Sequence, residues 1–216
     1  TGSTEYNCPK RRYCVAGSVR GELCEPGTYN TATLGLTADS ECSSCPERYY
    51  CIDGIAGSDF CESGHICGGG ATTPLPTGTF GTDTNYECPI GRYCLKAGSS
   101  NPNAPTDCST SKYTYNLGSD ALDDCLLCEA GYYCPDGSYE PVVCPSGKYC
   151  IKGVTTPTDC PINTYRTSTG GINERSCAQC YRGHFCDTVG LNTISGKDCA
   201  VGHFCPTGTS AEIKCP

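Results

Sequence analysis

The chain has 216 residues: 23 are Cys, none is Met or Trp, and 15 Lys or Arg stand against 23 Asp or Glu for a net charge of -8. Leu, Ile, Val and Phe make up only about 14% of it, too little to bury a core of ordinary size, whereas about 11% Cys marks a disulfide scaffold. So many bridges point to the outside of the cell or a secretory lumen. The acidity argues against nucleic acid or an anionic membrane as partner, and no run approaches the roughly 18 apolar residues of a membrane helix.

From the first residue onward the chain repeats itself. Residues 1–23 read as a partial repeat that holds the first Cys-x5-Cys tract, Cys8 to Cys14. Residues 24–107 form a longer unit: a loop from Cys24 to Cys42, then the tracts Cys45 to Cys51, Cys61 to Cys67 and Cys88 to Cys94. Within it, "LPTGTFGTDTNYEC" aligns with "CEPGTYNTATLGLTADSEC" and makes 68–87 a degenerate loop, with Leu75 near the opening Cys position and Asn85 near the closing one. Both cysteines are absent together, as expected if they bond to each other in intact loops. A third unit, 108–159, holds the loop Cys108 to Cys125 and the tracts Cys128 to Cys134 and Cys144 to Cys150. The last, 160–216, holds the loop Cys160 to Cys177, the tracts Cys180 to Cys186 and Cys199 to Cys205, and Cys215 without a partner. The lack of Met and of a leader, and the likeness of "TGSTEYNCP" at 1–9 to "TGTSAEIKCP" at 207–216, make the chain read as an excerpt of a longer repetitive one.

Each loop has Tyr five places after its opening Cys (Tyr29, Tyr113, Tyr165). Each tract has Tyr, Phe or Ile just before its second Cys, as at Tyr13, Tyr50, Ile66, Tyr93 and Phe204. Gly stands three places after the first Cys in most tracts, with Arg11 and Arg48 as exceptions, and Pro often follows that Cys. Pro at i+1 with Gly at i+3 is type I turn chemistry, so each tract is expected to fold back there and to lay its aromatic across the bridge. Loop bridges are expected at Cys24–Cys42, Cys108–Cys125 and Cys160–Cys177. The short tracts leave two pairings open: local closure, as in Cys128–Cys134, or a crossed ladder, as in Cys128–Cys144. A bridge closing about seven residues is worth roughly 2.4 kcal/mol and one closing about eighteen roughly 3, so each module could hold its shape without touching distant ones and is expected to contact chiefly its sequence neighbours. The expected fold is small, disulfide-rich and mostly irregular with short β-hairpins, an elongated series of cysteine-rich repeats with little or no helix.

Cys24, Gly27, Tyr29, Cys42 and Cys45 carry a resemblance to the ephrin-receptor-like and tumour-necrosis-factor-receptor-like cysteine-rich repeats; Cys160, Tyr165, Cys177 and Cys180 match with Asn163 in place of the glycine. The dense tracts resemble repeat-rich surface proteins of protists and algae. The likeness implies that the opening Cys pairs with the first Cys of each Cys-x2-Cys, and that four cysteines of a following module are crossed, as in the ladder pairing. It implies a scaffold rather than a task.

No catalytic constellation is present. His65, His184 and His203 share one position, just before the aromatic, which elsewhere holds Arg, Lys or Tyr, as a solvent-facing site does. The Cys-x2-Cys pairs at 42/45, 125/128 and 177/180 have zinc-like spacing but recur at module junctions of an oxidised chain. The "DALDDC" stretch, 120–125, lacks calcium-loop spacing and reads as a solvated turn. No N-glycan sequon occurs. Thr, Ser and Pro cluster at 71–79, 99–106 and 154–158, making Thr72, Thr73, Thr155 and Thr156 candidate O-glycosylation positions. The expectation is a non-enzymatic extracellular structural protein without cofactor, a rod-like segment of a surface coat or fibre whose partners are itself or other extracellular proteins. The alternative is the ligand-binding ectodomain of a receptor, with 68–87 as the place to seek a binding or assembly surface.

Overall fold

A computed structural model describes residues 8–9, 11–30, 35–52, 54, 59–97 and 103–216. The fold is small, disulfide-rich and mostly irregular. Among the described residues there are nine two-stranded ribbons, with strands of two or three residues, and three single-turn 3-10 helices at Asp39–Glu41, Leu122–Asp124 and Glu174–Ser176. The chain divides into two compact units, Thr1–Thr106 with Asn116–Asp124, and Asp107–Tyr115 with Cys125–Pro216.

Every short tract is closed on itself, from Cys8–Cys14 to Cys199–Cys205, and each loop is closed by Cys24–Cys42, Cys108–Cys125 or Cys160–Cys177. Cys215 is free and exposed. The buried side chains are nearly all cysteines, joined by Ile66, Ala71, Ala97, Pro76, Pro89, Asn30, Thr114 and Ser119. With so few aliphatic residues available, the bridges themselves are what the chain has to bury.

One frame runs through tracts and loops alike. Take a module to run from one opening cysteine to the next: 8, 24, 45, 61, 88, 108, 128, 144, 160, 180 and 199. The fourth and fifth residues past the opening cysteine pair antiparallel with the two residues before the next one, as in Tyr132–Tyr133 with Val142–Val143 and Lys148–Tyr149 with Thr158–Asp159. The loop modules make the same ribbon, Thr28–Tyr29 with Ser43–Ser44 and Thr164–Tyr165 with Ala178–Gln179. Two modules reduce it to a single antiparallel bridge, Tyr49 to Phe60 and His184 to Asp198.

The expected type I turn lies one residue later than the Cys-Pro-x-Gly reading placed it. The bond closing it runs from Lys148 N–H to Pro145 C=O at 3.3 Å, and from Thr164 N–H to Pro161 C=O at 3.2 Å. The third residue past the opening cysteine is therefore i+2, and it is left-handed, with φ of 77° at Gly147, 85° at Gly27 and 90° at Gly131. A left-handed i+2 belongs to type II geometry and favours Gly. Arg11, Arg48, Ser111 and Asn163 take the same conformation, with φ from 66° to 78°; they are the four non-glycine residues with positive φ among those described.

Backbone hydrogen bonds join each module to the next along the chain. Gly147 C=O accepts from the N–H of the next opening cysteine, Cys160, at 2.9 Å, and Gly147 N–H donates to Arg166 C=O at 2.8 Å. Gly131 does the same with Cys144 and Cys150, and Gly27 with Cys45 and Cys51. A second glycine, nine or ten places past the opening cysteine, donates backward: Gly153 to Cys128 C=O and Gly170 to Cys144 C=O, at 2.8 and 2.7 Å. The residue before the second cysteine also reaches forward in two modules: Tyr50 packs on Cys61 and Cys67 of the next module, and Ile66 on Cys88 and Cys94.

Contact extends to the module after next. A Cβ on Gly147 would stand 2.2 Å from Gly190 C=O, and one on Gly64 2.3 Å from Gly118 C=O, so backbone there approaches too closely for any side chain. Gly202, also left-handed, has nothing within 4 Å of such a Cβ. Gly147→Ala should therefore cost more than about 3 kcal/mol, the left-handed penalty plus displaced backbone, and Gly202→Ala only about 1–2 kcal/mol. Denaturant unfolding with bridges intact measures both; equal losses would refute the close-approach explanation.

Candidate interaction surface

The loops differ from the tracts at one position. Where a tract has its second cysteine, six places past the opening one, the loops have Asn30, Thr114 and Arg166. Asn30 and Thr114 are buried there, and Arg166 keeps the backbone bonds of a cysteine, accepting from Gly147 and donating to Leu191 C=O at 3.0 Å. Asn30 Nδ2 donates to Arg12 C=O at 3.2 Å; Arg166 Nη1 and Nη2 donate to Ser176 and Thr169 C=O at 2.8 Å each. The opening cysteine instead bridges to the cysteine three places before the next module, so the loops are ordinary modules with a wider staple.

A 3-10 turn leads into each closing cysteine, and the residue just before that cysteine caps it. Glu41 accepts from Thr37 N–H at 2.6 Å and Thr37 Oγ1 at 3.1 Å; Asp124 accepts from Asp120 and Ala121 N–H at 2.8 and 3.1 Å; Ser176 Oγ accepts from Ile172 N–H at 3.1 Å. The sequence signal was an acidic or hydroxyl residue immediately before Cys42, Cys125 and Cys177. "DALDDC" is such a capped turn, with Ser63 Oγ donating to Asp120 Oδ2 at 2.9 Å.

Each Cys-x2-Cys pair is divided between two bridges: Cys42 goes to Cys24 and Cys45 to Cys51, and likewise at 125/128 and 177/180. None of these six sulfurs is left as a thiolate to bind zinc. One group gathers ligand-type atoms among the described residues, Cys24, Asp39 and Cys42, but its two sulfurs are bonded to each other and Asp39 Oδ1 accepts from Glu25 N–H at 3.3 Å. The histidines are half-buried and answer to neighbours: His65 Nδ1 is 3.1 Å from Ser63 C=O, and His184 Nδ1 is 3.0 Å from Asp198 Oδ1. His203 opposes Lys214 across its ribbon.

Thr72 and Thr156 are exposed; Thr73 and Thr155 are half-buried, and Thr73 Oγ1 accepts from Leu75 N–H at 3.2 Å. In the 99–106 cluster, residues 99–102 lie outside the described residues, as do 1–7 of the "TGSTEYNCP" likeness.

The stretch 68–87, expected as a degenerate loop, does not repeat the frame of the Cys24 loop. Cys88 N–H returns to Gly64 C=O at 2.7 Å, and Gly78, which the alignment placed opposite Gly27, is not left-handed. The stretch is an excursion from the module that opens at Cys61. Asn85 does stand three places before Cys88, as the closing cysteines stand before theirs, and its amide clamps the excursion's foot: Oδ1 accepts from Gly68 N–H at 3.0 Å and Nδ2 donates to Gly69 C=O at 2.9 Å. Leu75 is exposed. Phe80, 47% exposed, meets the Tyr86 ring edge-on at 5.3 Å and lies under the Arg92 guanidinium at 5.4 Å. Burial pushes the Tyr86 hydroxyl's pKa up, against the opposing pull of Arg92.

No protein-family model matches the chain, and no curated protein matches it. No helix among the described residues is long and apolar enough to cross a membrane.

The Thr37 N–H and hydroxyl hold the Glu41 carboxyl below its ordinary range. A lowered folded pKa contributes stability that is present above the ordinary carboxylate value and lost as pH falls through the lowered one. Acid titration followed at the Thr37 amide should show that loss, and Glu41→Gln should abolish the step. Titration of the Glu41 carboxyl at or above the ordinary value would contradict the cap.

Proposed function

We propose that the chain is a non-enzymatic, extracellular structural segment, a tandem-repeat rod of cystine-braced modules serving a surface coat or fibre. The observation that carries this reading is the recurrence of one set of module-to-module hydrogen bonds: Cys144 to Gly131, Cys160 to Gly147 and Cys180 to Asn163 in one unit, and Cys45 to Gly27 and Cys61 to Arg48 in the other. Modules that bind chiefly the next one or two along the chain add length rather than girth. Glu41 and Asp124 cap turns, His184 and Lys148 pair with Asp198 and Asp159 across their ribbons, and the described cysteines other than Cys215 are spent in bridges. Heavy disulfide bonding is compatible with an extracellular role, structural or receptor-like. The family likeness of the 24–45 loop belongs to the same reading.

A second reading, a receptor-like ectodomain, is favoured by one feature, the ordered excursion that presents Leu75 and Phe80 off the frame. A compact 216-residue domain would have a radius of gyration near ~17 Å. Small-angle scattering at low concentration should return a clearly larger value, and electron microscopy of native material should show filaments. A value near ~17 Å removes the rod; a larger value without filaments moves the reading to the ectodomain.

A further inference from the structure

The residue just before each new opening cysteine sits at the outer edge of its ribbon. In the module of Cys128, the N–H of Cys144 bonds to Gly131 C=O, so by the alternation of antiparallel pairs Val142 exchanges bonds with Tyr133 while the N–H and C=O of Val143 face outward. The same parity, set by Cys128 N–H to Ser111 C=O, turns Leu127 outward. An open strand edge is a template for another strand, and proteins blunt it with charge. Elsewhere in the second unit the position is Asp107, Asp159, Gln179, Asp198 and Lys214.

At Leu127 and Val143 the charge is missing, and the strand residues before them, Leu126 and Val142, are apolar as well; Pro141 and Pro145, which lack an N–H, confine pairing at the second edge to Val143. The four side chains are 41–46% exposed, and in the other nine modules at least one of the two positions is polar or charged. Leu127 covers Gly153, 3.3 Å from where a Cβ would stand, which accounts for part of one residue only.

We propose that these two consecutive ribbons are the contact between copies of this chain. A second copy is the fitting occupant for two reasons. An antiparallel edge pairs with itself about a two-fold axis, Val143 exchanging N–H to C=O bonds with the partner's Val143 and aliphatic surface meeting its own kind. The charge permits it: the second unit carries eight Lys or Arg against nine Asp or Glu, whereas the first, with seven against fourteen, repels its like. The edge is short, so a single contact is weak and gains strength where many chains lie side by side. This association stands apart from the extended reading: scattering from dilute single chains tests the rod, and concentration dependence tests the contact.

The test is sedimentation velocity of the whole chain from low to high micromolar concentration, with Cys215 alkylated so that no intermolecular disulfide forms. The native sequence should gain mean mass with concentration. Val143→Glu should weaken association tenfold or more, and Val143→Thr, which keeps strand preference, should weaken it less. Ile162→Glu, which adds the same charge at a 47%-exposed site that belongs to neither ribbon, should leave it unchanged. An unaltered disulfide peptide map verifies each variant's fold. A native chain that stays monomeric throughout, or an Ile162→Glu variant as impaired as Val143→Glu, overturns the proposal.

Discussion

The structure depends on a left-handed residue three places past each opening cysteine. In that conformation the residue ends a tight turn and directs both its N–H and its C=O away from its own module. The next module supplies the partners, its opening cysteine as donor and its sixth residue as acceptor, as Cys160 and Arg166 do for Gly147. The conformation costs a non-glycine residue about 1–2 kcal/mol, yet Arg48 and Asn163 hold it at φ of 78° and 73°. Two outward hydrogen bonds per module, each worth about 1 kcal/mol net, offset that cost.

Bridges complete what the bonds begin. A module of some 16–27 residues with so few aliphatic side chains cannot exclude water from its backbone bonds, and the buried sulfurs do so in their place. Two staples serve one frame, a short one across the turn and a wide one across the loop, because the backbone bonds do not depend on which side chain occupies the sixth position. Salt bridges at the surface, such as Lys152 to Glu129 at 2.6 Å and Lys96 to Glu62 at 2.9 Å, recur between neighbouring modules but are solvent-exposed and contribute little.

Much of this was legible in the sequence. Composition alone implied a disulfide-rich fold of short hairpins, since about 14% large aliphatic and Phe residues leaves no other route to a folded state. The unity of tracts and loops was present too: Tyr29 stands five places past Cys24 as Tyr149 does past Cys144. The loops lack the sixth-place cysteine, so side chains alone separate them from the tracts, while the frame they share is a backbone property. The aligned letters of Leu75 to Glu87 suggest a degenerate loop, but only the bond from Cys88 to Gly64 shows that the chain makes an excursion and returns. The approach of Gly147 to Gly190 spans two modules, and no local pattern encodes it.

The central claim is that bridges and backbone bonds, rather than an apolar core, hold each module folded. Reduction of all eleven disulfides with blocking of the thiols tests it most directly, read as amide chemical-shift dispersion at room temperature. The account predicts collapse to the narrow dispersion of an unfolded chain, including at Gly147 and Gly131, whose N–H groups would lose the carbonyls of the next module. Native dispersion retained in the reduced, blocked chain would contradict it.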